Sequence, residues 1–155
     1  MYSIQLINLN QTTMYTGLLH SHSLLRYVLL LLLAALIIRA LTAWLGKKPF
    51  IAIDNKLSFW TLIVSHLQLL IGLTLYFISP FVQFTADTMK TKELRYWAVE
   101  HIVAMILAIV LITIARVSMK KLAADNAKHK RLFIYNTVAL VIIVVTVINS
   151  GRGLL

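Results

Sequence analysis

His20, His22 and Arg26, then His66 and Gln68, then Glu100 and His101, are the side chains of this chain whose types and spacing could do chemistry. Imidazole binds metals and exchanges protons near neutral pH. Guanidinium is a fixed cation that grips carboxylates through two parallel hydrogen bonds. Cysteine is absent, which excludes disulfides, thiolate metal sites, iron–sulfur clusters and cysteine nucleophiles. His22 and Arg26 are four residues apart and share a helical face. His20 and His22 are two apart, so on a regular helix they point about 200° apart and cannot share one small ion. If the helix begins after His20, that constraint lifts. His20, His22, Glu100 and His101 then form a nitrogen/oxygen set suited to zinc, iron or copper. His129 lies in the basic run Lys128-His129-Lys130-Arg131 and reads as a lipid head-group contact.

The elements that carry these residues are membrane spans. Of 155 residues, 60% are hydrophobic and 13% charged. Such a composition excludes a disordered chain and a typical soluble enzyme domain. Four apolar runs stand out, at about 18–40, 57–80, 96–115 and 132–150, each long enough to cross a ~30 Å hydrocarbon core as a helix. Gly46-Lys47-Lys48-Pro49, Pro80 and the stretch from Lys120 to Arg131 separate them, and Asp54-Asn55 can cap the second. Short connections predict antiparallel neighbours, hence an all-α, up-down-up-down four-helix bundle in a single domain, 14–155. Residues 1–13 are polar and uncharged; they read as a tail, with Met14 as an alternative start.

The net charge of +10 is a topology signal rather than a nucleic-acid footprint. Arg39, Lys47, Lys48 and Lys56 surround the first connection, and Arg116, Lys120, Lys121, Lys128, Lys130 and Arg131 the third. The second connection offsets Lys90, Lys92 and Arg95 with Asp87 and Glu93. The positive-inside rule then puts the first and third connections in the cytoplasm and both termini outside.

Depth sorts the ionisable residues, which are costly within a span and functional candidates by default. At 1.5 Å per residue, His22 lies roughly 6 Å and His101 roughly 8 Å inside the outer boundary, on different helices. Two imidazoles facing across a bundle core can hold a haem iron from both sides. Arg26, one turn deeper than His22, could then bind a haem propionate or pair with Glu100. A non-haem metal, and hydrogen bonding within the bundle or solvation at the interface, are the other readings of the two histidines. His66 sits roughly 21 Å from the outer boundary and shares its depth with no other histidine. A core hydrogen bond, to Gln68 or Tyr135, is one reading of it; donation to a quinone carbonyl or a proton relay is the other.

Helical periodicity gives three stripes. Glu100, Ala104, Ala108 and Ala115 share a face of the third helix. Ser65, Gln68, Gly72, Tyr76 and Ser79 share one on the second, with His66 off it. Tyr135, Ala139, Ile142, Thr146 and Asn149 recur on the fourth. Trp44, Trp60, Trp97, Tyr15, Tyr27 and Tyr96 read as interfacial anchors.

From Met14 onward the chain resembles a known group. MYTGLLHSHSLLRY, LGKKPF with DNKLSFWTLIVSHLQLLIGLTLYF, then RYWAVEH and AKHKR are similar to small bacterial four-helix membrane proteins labelled "cytochrome B". The resemblance implies haem b, electron transfer and residence in the bacterial inner membrane. Its H-x-H-x-x-x-R, H-x-Q and E-H motifs fall on His20, His22, Arg26, His66, Gln68, Glu100 and His101.

The expectation is one haem b near the outer face, with His22 and His101 as iron ligands, Arg26 on a propionate and Glu100 orienting a ligand or relaying a proton. One-electron transfer, linked to quinone or to a membrane partner complex, suits a carrier or complex subunit better than a stand-alone enzyme. An accessory subunit that only packs and assembles, and a membrane protein with a non-haem metal, are the competing classes.

Overall fold

The computed structural model describes residues 2–150, with side chains from residue 12 onward. Four long helices account for nearly all of them. α1 is Tyr2–Leu45, α2 is Ala52–Ile78, α3 is Lys92–Met119 and α4 is Asp125–Asn149. Each is long and apolar enough to span a membrane. The polar segment read as a tail is continuous with the first span. At 1.5 Å per residue, the 44 residues of α1 reach about 66 Å, roughly twice a hydrocarbon core.

α1 packs against α2 and α4, and α3 packs against α2 and α4, so neighbours around the bundle run antiparallel. Small residues set the spacing. Ala40, Ala43, Ala108, Ala115 and Ala139 are all but inaccessible, which lets helix backbones approach closely. Two apolar clusters stack along the axis. Leu29, Leu33, Val64, Ile112, Ile143 and Val147 form the middle layer with Ala108 and Ala139. Leu36, Ala40, Ala115, Met119 and Leu132 form the layer nearest the first and third connections.

That end is also pinned by polar contacts. Arg39 Nε donates to Asp54 Oδ1 at 2.7 Å, and Asp54 Oδ2 accepts the Ile51 N–H at 2.9 Å, closing the first turn of α2. Arg116 Nη1 donates to Asn55 Oδ1 and Ser58 Oγ, tying α3 to α2. Phe50 N–H donates to Asp125 Oδ2, tying the first connection to the start of α4. α1 stops in a Schellman arrangement, Lys48 N–H to Ala43 O and Lys47 N–H to Trp44 O, with Lys47 at φ 49° in the left-handed position.

Two sequence expectations shift here. The inward face of α4 is Leu132, Asn136, Ala139, Ile143, Thr146 and Val147, so Tyr135, Ile142 and Asn149 stand off it. His129 belongs to the same inward row, one turn before Leu132. It is 0% exposed and packs on the Phe50 ring at 5.2 Å, not on head groups.

Candidate functional site

The bundle is packed at one end and hollow at the other. A cavity of about 410 Å³ lies between the helices at the end that carries Tyr15 and Ser150. A smaller void of about 80 Å³ lies beside it, towards the middle of the bundle, and shares His22, Arg26, Gly72, Tyr76, His101 and Val147 with it. The first stripe residues of α2 explain part of this: Gly72, Tyr76 and Ser79 line the larger cavity, and Gln68 the smaller void.

His22 comes from α1. Its ring lies against Gly72 of α2, so closely that a Cβ there would meet His22 Cε1 at 3.0 Å and Nδ1 at 3.6 Å. Glycine is what allows the ring this position. His22 Nδ1 is buried with no hydrogen-bond partner among the described residues. Gln68 Nε2 donates to the backbone carbonyl of His22 at 2.9 Å and clamps this turn of α1 to α2. Arg26 lines both spaces, and its Nη2 donates to Tyr27 Oη at 3.0 Å.

His101 comes from α3, directly after a π-helical turn at Tyr96–Glu100. Its ring packs against both Tyr96 and Trp97, at centroid distances of 5.7 and 5.6 Å, and those two rings meet edge to face at 4.8 Å. Tyr96 Oη is 3.3 Å from His101 Nδ1 and donates to the Thr146 carbonyl of α4 at 2.8 Å. Tyr76 Oη donates to the Ala98 carbonyl at 2.7 Å, so α2 is tied to the π turn as well.

The structure therefore brings His22, Arg26 and His101 to one cavity, with His20, itself exposed, at its lining. It does not bring Glu100 or His66 there. The π turn rotates Glu100 outward, where it accepts from Arg95 Nε at 2.6 Å rather than meeting Arg26 or a ligand. His66 is exposed on the outer face of α2, its Nδ1 2.9 Å from the Leu62 carbonyl one turn back, and contacts neither Gln68 nor Tyr135. Among the described residues, no three His, Asp or Glu side chains gather as a metal-binding group. Tyr96, Tyr76 and Gly72 gain roles that sequence reasoning gave to interface anchoring or plain packing. The i, i+4 spacing of Gln68, Gly72 and Tyr76 was the one signal for the α2 wall.

Comparison with protein-family models, with curated proteins and with solved structures finds no match for this chain.

Proposed function

We propose that this protein is a membrane b-type cytochrome-like electron carrier that holds one haem b between α1 and α3, with His22 and His101 as the iron ligands. The observation that supports this reading is one cavity, with both polar and apolar walls, lined by His22 of α1 and His101 of α3. The residues present fit such a group. The cavity of about 410 Å³ falls within the ~300–1,000 Å³ of small-molecule sites. His22 Nδ1 has no partner among the described residues, and a glycine rather than a larger residue stands beside the ring. Arg26 lines the same space, where a guanidinium would neutralise a propionate.

Haem, when bound, supplies a one-electron couple. The chain's own part is to hold and seal. Gln68 fixes the His22 turn, the paired Tyr96 and Trp97 rings pack against His101, and Leu29, Met105 and Ile143 exclude water from the inner void. Electrons would come from and go to a quinone or a membrane partner. The Lys and Arg bias between connections supports a cavity at the outer side of a bacterial inner membrane, with both termini outside.

The test is a reduced-minus-oxidised visible spectrum and a pyridine haemochrome assay on protein purified in mild detergent. About one haem b per chain is expected. His101→Ala should insert normally and lose the signal. Unchanged bis-histidine absorption in that variant would overturn the ligand assignment.

One observation favours a second reading, an accessory subunit of a larger membrane complex. His66 is exposed in the middle of a span, where an imidazole facing lipid is costly and a neighbouring protein helix would satisfy it. Such a subunit would copurify with its partner and show no haem absorption of its own.

A further inference from the structure

We propose that Tyr96 is a positioning residue that fixes the tautomer of His101, holding its proton on Nδ1 and leaving Nε2 with the free electron pair. The consequence for cofactor binding rests on the cytochrome reading above; the tautomer itself does not.

A phenol has one O–H, and a carbonyl can only accept. Tyr96 Oη lies 2.8 Å from the Thr146 carbonyl, so its hydrogen is committed there. The Tyr96 oxygen then meets His101 Nδ1 at 3.3 Å with lone pairs only. A hydrogen bond between them requires Nδ1–H as donor. A neutral imidazole carries one ring proton, so Nε2 is bare. Tyr96 is 4% exposed, which leaves little room for water to take over either bond.

The helix ends explain why these groups are available. Thr146 is fourth from the end of α4, and the next possible donor, Ser150 N–H, goes to Val147 and Ile148 instead. The Thr146 carbonyl is thus one of the four that a helix leaves unsatisfied at its C-terminus. The π turn supplies the other half. In a regular α-helix, residues 96 and 101 would point about 140° apart. Here the His101 N–H bonds back to the Tyr96 carbonyl five residues earlier, and the wider turn stacks the two side chains. A histidine metal ligand characteristically donates its other ring N–H to an oxygen, which orients the ring and raises the basicity of the ligating nitrogen.

The test uses the full chain in detergent, labelled with ¹⁵N-histidine and measured at about pH 8, where a free imidazole is neutral. The His101 signals are identified by their loss in His101→Gln. The native protein should show His101 protonated on Nδ1. Tyr96→Phe, which removes only the hydroxyl, should release the ring into a mixture of tautomers. Haem titration of the same two proteins should show affinity weakened about 10–100-fold in the variant. A native His101 protonated on Nε2 would overturn the proposal, even if Tyr96→Phe failed to fold. So would an unchanged tautomer in a folded Tyr96→Phe. A native protein that takes up no haem yet keeps the Nδ1–H form would remove the cytochrome reading and leave the tautomer lock standing.

Discussion

Gly72→Ala separates the fold from the site. The added methyl would stand 3.0 Å from His22 Cε1. Carbon–carbon contacts settle near 3.5–4.0 Å, so the ring must retreat by roughly 0.5–1 Å. His22 lines a cavity, so the ring has space to retreat into and the helices need not part. Two magnitudes then diverge. Replacing glycine by alanine inside a helix favours the helix by up to about 1 kcal/mol, which offsets the repacking. On the cytochrome reading, metal–ligand distances tolerate only about 0.2 Å, so a displacement several times larger would disable His22 as an iron ligand. The expected result is haem affinity lowered at least about tenfold, or 1.4 kcal/mol, with the melting temperature of the haem-free protein within about 4 °C of native. Haem titration and thermal unfolding followed by helical circular dichroism, both in detergent, read the two quantities. Native affinity in Gly72→Ala would refute either the seating of His22 on α2 or its role as a ligand. A collapsed fold would refute the idea that the cavity absorbs the displacement.

The packed end makes its own predictions. Asp54→Ala leaves Arg39 and the Ile51 N–H without their acceptor, and should cost about 2 kcal/mol in a denaturing-detergent titration. A loss below about 0.5 kcal/mol, the range of a neutral surface change, would mean that the pair does not hold the α1–α2 corner. His129→Leu replaces a buried ring whose two nitrogens have no partner among the described residues, and should raise stability by about 1 kcal/mol in the same titration. A loss of stability would show that the imidazole is satisfied in the membrane-embedded protein.

Much of the scaffold was legible. The four spans, their breaks at Gly46 and Pro80 and their antiparallel order follow from apolar run length and short connections. The shared cavity of His22 and His101 follows from equal depth on two helices. What escaped was rotation about the helix axis. In a soluble helix the apolar stripe marks the buried face, but lipid and bundle core are both apolar, so hydropathy does not separate them. Hence His66 was expected inside and lies outside, His129 was expected at the head groups and lies inside, and of the expected α4 stripe only Ala139 and Thr146 fall in the buried row. The π turn at Tyr96–Glu100 escaped for a different reason. Periodicity arguments assume 100° per residue, and one wide turn resets every later position. That reset turns Glu100 towards Arg95 and gives His101 a tyrosine neighbour.

The uneven filling of the bundle predicts an order for its assembly. The half that holds Leu36, Ala40, Ala115, Met119 and Leu132 is filled by its own side chains and closed by the Arg39–Asp54 corner. Helices inserted singly into the bilayer would then find their partners from that half first. The hollow half is then a finished socket rather than an unfolded region. On the cytochrome reading, the haem would then be the last component to arrive, after the polypeptide has assembled.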